Sequence, residues 1–194
     1  MTYVINEVTP SFVAGRFSFD TISDIRKDVI AGISKTKLID PEIGGHVDAA
    51  EDYSVRQGNI AWLDDCHTAN ETLKQLIDDL NADNWQRELD KEYPSLQFTM
   101  YADTGDHYDW HQDQYEDDEP FTRQLSISVC LSHIDEYQGA ELFIKDGSEV
   151  NVRVFKMQYG DFVVFPSEIE HRVNQLREGE RVTLVTWYGK TKSL

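Results

Sequence analysis

The chain has 194 residues, 40% hydrophobic and 11% aromatic, which suits one globular domain with a real core and excludes a disordered chain. With 36 acidic residues against 18 basic ones the formal net charge is -18, so a phosphate backbone is repelled and a nucleic-acid partner is not expected. No apolar run nears the roughly 20 residues of a bilayer span, and the opening MTYVINEVTP lacks the basic and apolar regions of a signal peptide. The two cysteines, Cys66 and Cys130, give no disulfide framework. The expectation is a cytoplasmic protein in a reducing compartment, with no membrane partner and an oligomeric state the sequence does not specify.

In chain order, Asp20 or Thr21 caps a predicted helix whose apolar positions Ile22, Ile25, Val29 and Ile33 follow the helical period. Residues 36–53 read as a long polar loop, and a short strand is predicted near residues 58–63. Thr68-Ala-Asn-Glu71 has the form of a capping box opening a second helix, with Leu73, Leu76, Ile77, Leu80 and Trp85 on one face.

From Leu96 the period changes to two. Strands are predicted at residues 96–102, 108–111, 124–131, 140–144, 149–155, 161–165, 171–174 and 181–188, separated by turn signals such as Thr104-Gly105, Asp146-Gly147 and Tyr159-Gly160. About eight short strands with regular turns argue for a mainly β fold, a jelly-roll (double-stranded β-helix) barrel with the N-terminal helices packed on one face. One domain over residues 1–194 is expected, with 1–95 supplying helical support and a substrate loop and 96–190 the jelly-roll core. In Leu125-Ser-Ile-Ser-Val-Cys-Leu131, alternation puts Leu125, Ile127, Val129 and Leu131 on one face, where they suit packing under helices. Ser126, Ser128 and Cys130 take the other face and leave room inside the barrel for a ligand.

Three His-x-Asp pairs occur: His46-Val47-Asp48, His107-Tyr108-Asp109 and His111-Gln112-Asp113. On a strand, residues i and i+2 share a face, so an imidazole and a carboxylate reach one ion. A second His from another strand completes a facial triad with three open positions, the arrangement of non-haem Fe(II) oxygenases. His171, opening a strand after the Pro166 break, is the best third ligand; His67 and His133 fall in predicted caps or turns. Between the two adjacent pairs the residues only lean: Gly105 puts His107 at a turn exit, while Trp110 can anchor His111. On the last strand Arg181, Thr183, Val185 and Trp187 share a face. If it looks inward, a guanidinium is buried with no local carboxylate, and a dicarboxylate ligand would pair with it bidentately.

These segments together resemble the Fe(II)- and 2-oxoglutarate-dependent oxygenases, in particular the prolyl 4-hydroxylases and PKHD-type hydroxylases. LQFTMY, YDWHQD, LSHIDEYQGAELFI, GDFVVFPSEIEHRV and GERVTLVTWY carry the resemblance, in order and in spacing, across roughly the C-terminal half. In that family an aromatic lies three residues before the first ligand His and a Tyr ten before; Tyr108 and Tyr101 stand at those distances from His111. The resemblance therefore implies His111, Asp113 and His171 as iron ligands, with His107-Asp109 at the rim and His46-Asp48 on a loop surface.

It further implies Arg181 on the distal carboxylate of 2-oxoglutarate, aided by Thr183, with Tyr101 close to iron and cosubstrate. Cys130 stands where the family often has a Tyr that touches the cosubstrate, so another donor is needed, with Tyr101, Thr183, Ser128 or water as candidates. Arg123, Trp187 and Tyr108 are implied to face a substrate. The implied reaction uses Fe(II), 2-oxoglutarate as cosubstrate and O2, with ascorbate as reductant, and hydroxylates a prolyl residue of a protein or peptide with succinate and CO2 as co-products; the retained Asp113 favours hydroxylation over halogenation. The alternatives are the same chemistry on a free amino acid or another side chain, or a non-catalytic cupin-like metal-binding module, for which Arg181 and Thr183 would have no use. Residues 36–53 and the acidic 114–120 segment are expected to gate the substrate, the latter attracting a basic one.

Overall fold

A computed structural model of the chain describes residues 1–41, 54–90, 95–114, 121–147 and 151–191. The strands are β1 (Tyr3–Val8), β2 (Val13–Phe17), β3 (Arg56–Gln57), β4 (Asn59–Leu63), β5 (Leu96–Tyr101), β6 (His107–His111), β7 (Phe121–Cys130), β8 (Tyr137–Gly139), β9 (Leu142–Lys145), β10 (Val152–Phe155), β11 (Asp161–Pro166), β12 (His171–Val173), β13 (Leu176–Gly179) and β14 (Arg181–Thr191). The helices are α1 (Phe19–Ile33), which follows β2, and α2 (His67–Asn84), which follows β4.

The helices form where the apolar period puts them, but their caps differ from the sequence expectation. Ser18, not Asp20 or Thr21, caps α1; its side chain accepts from the Thr21 amide. The Thr68–Glu71 capping box does not form: α2 begins one residue earlier, after Cys66, which makes no side-chain cap. Asp28 of α1 supplies the missing acceptor, its Oδ2 taking the Ala69 amide at 3.0 Å. A carboxylate arriving from a neighbouring helix replaces the local cap, and local spacing does not reveal it.

Seven antiparallel strands form the major sheet in the order β1-β2-β11-β7-β14-β5-β4, five form the minor sheet in the order β10-β9-β12-β6-β3, and β13 pairs with β8. The architecture is a jelly roll. Three strands of the major sheet, β1, β2 and β4, precede residue 96. The alternation in β7 resolves as two different interiors. Leu125, Ile127, Val129 and Leu131 pack with Ile25, Val29, Leu73 and Ile77 of the helices. Ser126, Ser128 and Cys130 face the space between the sheets and are buried there. Phe12, Leu142, Ile144, Phe165 and Val173 close the far end of that space. Among the described residues no helix is long and apolar enough to cross a membrane.

Candidate metal centre

The space between the sheets is a cavity of about 270 Å³ lined by residues of both, including Tyr101, Ser128, Arg181 and Thr183 from the major sheet and Tyr108, His111 and His171 from the minor one. His111 and His171 lie directly opposite each other in the β6–β12 pairing. Asp113 follows β6 and is held by a 2.9 Å bond from its amide to the Ser167 carbonyl. The Asp113 carboxylate lies 3.7 Å from His111 Nε2 and 3.4 Å from His171 Nε2. One ligand atom from each of the three side chains falls within 4.8 Å of the others, a group that could hold a metal ion.

The imidazoles are oriented for it. His111 Nδ1 bonds to the Asp109 carbonyl at 2.8 Å, and His171 Nδ1 to the Ile169 carbonyl at 3.0 Å. A carbonyl accepts only, so each Nδ1 carries a proton, and Nε2 is the ring nitrogen left to face a metal. Burial, with His171 beside it, pushes the His111 pKa down to about 3, so the ring is neutral at ordinary pH. Burial alone would raise the Asp113 pKa; the two imidazoles, then Ser126 and Trp187, more than offset it, and the group stays a carboxylate.

One local feature departs from simple alternation. Tyr108 and His111 are three apart and would take opposite faces of a regular strand. Yet their rings stack, with centroids 3.5 Å apart and 13° between planes. The β6–β12 register shifts between His171 and Val173, a bulge that brings Tyr108 and His111 to the same side. Trp110, expected to anchor His111, instead lies on the other side with Arg172 and Lys145 against its ring; Tyr108 is the residue that supports His111.

Arg181 looks inward and is 1% exposed. Its Nε has no hydrogen-bond partner, its Nη2 contacts Met157 Sδ at 3.6 Å, the Tyr137 hydroxyl lies beside it, and no carboxylate among the described residues pairs with it. A buried cation left in this state costs several kcal/mol, about as much as an ion pair must recover. A diacid would balance that charge, so the donor set suits 2-oxoglutarate as well as iron. Tyr101 pairs with Arg181 across β5 and β14, and burial raises its pKa, so its phenol is a proton donor. Thr183 and Ser128 line the same cavity. At Cys130 the thiol is buried and donates to the Ser132 carbonyl. A phenol does stand nearby: burial pushes Tyr137 up to about 12, opposed by Arg181 next to it, and its hydroxyl donates to the Met157 carbonyl. The sequence reading missed Tyr137 because it lies in a three-residue strand inside a predicted turn.

The remaining predicted residues take distinct places. Arg123 lies over the Trp187 ring at 4.0 Å and donates to the Asp113 carbonyl, both at the cavity wall. His107 is bonded to the Gly105 and Ser54 carbonyls and, with Asp109, stays outside the three-residue group. His46-Asp48 and most of the two predicted gating segments, 42–53 and 115–120, lie outside the described residues. Three polar residues of the cavity were not anticipated, Arg56, Gln97 and Thr99. Gln97 was legible, since alternation from Tyr101 and Thr99 reaches it; Arg56 carries no local signal.

The geometry agrees with what comparison with known proteins finds. Residues 96–189, just under half of the chain, match the family described as the 2OG-Fe(II) oxygenase superfamily, and that segment is similar to its members. The chain is 35% identical over 95 residues to a PKHD-type hydroxylase of Psychrobacter sp. (strain PRwf-1), covering 46% of this chain and 36% of that protein. The chain thus spans about a third of the length of that curated relative. Its fold is similar to the crystal structure of a Pseudomonas putida prolyl-4-hydroxylase, with a TM-score of 0.72, 20% identity and 94% of each chain covered. It is also similar to a Trichoplax adhaerens prolyl hydroxylase in complex with a hypoxia inducible factor oxygen degradation domain peptide fragment, with a TM-score of 0.72, 15% identity and 93% and 84% of the chains covered.

Proposed function

We propose that the chain is a 2-oxoglutarate-dependent dioxygenase that hydroxylates a prolyl residue of a protein or peptide. His111, Asp113 and His171 hold Fe(II), and Arg181 holds the distal carboxylate of 2-oxoglutarate, assisted by the Tyr101 phenol and the Thr183 and Ser128 hydroxyls. When bound, the iron lets one oxygen atom of O2 enter a C–H bond of the substrate and the other enter 2-oxoglutarate, which leaves as succinate and CO2. The protein's part is positioning. The Asp109 and Ile169 carbonyls fix the two imidazoles, and the buried wall keeps the reacting atoms dry. Arg123, Trp187 and Tyr108 form the substrate side of the cavity. Ascorbate acts as a reductant in turnover.

One observation carries this reading: two imidazoles and a carboxylate converge across two strands, with, in the same cavity, a buried guanidinium that no carboxylate among the described residues pairs. A simple metal-binding barrel has no use for Arg181. The prolyl substrate is supported by the PKHD-type relative and by the prolyl hydroxylase complex with a peptide. The test is incubation with Fe(II), 2-oxoglutarate, O2, ascorbate and a proline-containing peptide library, read by a mass gain of one oxygen and by fragmentation. Hydroxyproline with matching succinate is the expected outcome; oxygen placed only on other residues removes the prolyl assignment.

A further inference from the structure

The cavity is cationic within a chain of net charge -18. Arg56, Arg123 and Arg181 line it, and Asp113 is the one carboxylate among its described lining residues. Arg123 is engaged by the Trp187 ring and the Asp113 carbonyl, and Arg181 is assigned to the cosubstrate above; Arg56 has neither role.

Arg56 is 8% exposed. Its Nη2 donates to Gln97 Oε1 at 2.9 Å, its plane lies 4.5 Å from the Tyr108 ring, and no carboxylate among the described residues pairs with it. Gln97 Oε1 also accepts from Thr99 Oγ1 at 3.3 Å. Two donors thus fix the amide with its oxygen turned to the protein and its NH2 outward, where it has no acceptor among the described residues. That end of the cavity offers the Arg56 guanidinium and the Gln97 NH2 as hydrogen-bond donors together with a positive charge, which is the chemistry of an anion receptor. Packing on Tyr108 would need only an apolar side chain and would not explain the oriented amide. Gln97 lies away from the 2-oxoglutarate anchor: Arg181 pairs with Tyr101, while Gln97, four residues along β5, pairs with Val185, about 13 Å away along the strand; the Arg56 charge is felt at Tyr101 as well as at Gln97.

We infer that Arg56 and Gln97 form a carboxylate-binding subsite, and that the substrate carries an acid group beside its reacting carbon. The inference rests on the oxygenase reading above and narrows its substrate class. The acid is either the α-carboxylate of proline itself or an acidic side chain next to a prolyl residue. It reverses the expectation of a basic substrate drawn from the acidic 114–120 segment, because the reacting end of the substrate meets the cavity.

The test uses protein loaded anaerobically with Fe(II) and 2-oxoglutarate, whose visible absorption band confirms loading. Binding is measured calorimetrically for two matched pairs: L-proline against L-prolinamide, and acetyl-Pro-Glu-amide against acetyl-Pro-Gln-amide. The acid of at least one pair should bind about tenfold tighter or more, and the pair that responds identifies the source of the carboxylate. Arg56→Gln should erase the difference and leave the Kd for 2-oxoglutarate unchanged, while Arg56→Lys keeps part of it. Equal binding of acid and amide in both pairs overturns the subsite, as does a preference that survives in Arg56→Gln or a weakened 2-oxoglutarate Kd in that variant. The wild-type pairs decide the matter even if a variant folds poorly. A loading band without acid preference overturns only the subsite; no band at all overturns the oxygenase reading with it.

Discussion

The two sheets facing the cavity differ in construction. The major sheet is held by long central strands, β7 and β14, whose shared register runs from Phe121–Thr191 to Cys130–Thr183 and whose side chains are largely buried. The minor sheet has short strands, a bulge in β6 and an edge strand β10 that is mostly exposed. The candidate ligands sit on the second, the proposed cosubstrate anchor on the first. A rigid sheet with a regular register fixes Arg181 by packing. A short, bulged one lets two imidazoles turn toward a single point, each held by its own backbone carbonyl rather than by a large core.

This contrast is open to attack at both ends. His171→Ala on the minor sheet should lower Fe(II) affinity by more than about 100-fold, beyond the 10–100-fold typical of outer partners, with little change in the urea midpoint. Leu184→Ala on the major sheet should do the reverse: Leu184 is fully buried, so a loss of about 2–5 kcal/mol in denaturant unfolding is expected, with metal affinity retained. Gly58 links β3 to β4 at a φ of +148°, and an added Cβ would lie 3.1 Å from the Met100 carbonyl oxygen. Gly58→Ala should therefore cost about 1–3 kcal/mol and misplace Arg56. Tyr108→Leu removes the ring stacked on His111 and should weaken metal binding about tenfold, measured by competition with a chelator, without a matching loss of stability. The smallest effect belongs to the partly exposed Arg87–Glu168 pair: Glu168→Gln should change stability by less than about 1 kcal/mol.

The same contrast explains what could be read from the sequence. The β7, β11 and β14 strands are legible because alternation and turn residues fix them independently of anything distant. The grouping of His111, Asp113 and His171 follows from two strands whose ends the Gly and Pro punctuation marks. What escaped depends on partners far along the chain. Asp28 caps α2 from another helix; Val13–Phe17 is a strand because β11 gives it a neighbour, and Tyr3–Val8 because Val13–Phe17 does. The β6 bulge defeats an alternation argument, since an extra residue puts Tyr108 and Trp110, two apart, on opposite faces. Arg56 sits in a two-residue strand whose only pairing is with β6, too short for any periodic signal.

The central claim is that three side chains and a buried guanidinium assemble Fe(II) and 2-oxoglutarate in one cavity. The most direct measurement is the visible spectrum of the anaerobic protein titrated with Fe(II) and then 2-oxoglutarate. A weak charge-transfer band that needs both additions, disappears in Asp113→Ala and requires far more 2-oxoglutarate in Arg181→Leu is the predicted result. No band in the wild-type protein, or one that persists unchanged in Asp113→Ala, would contradict it.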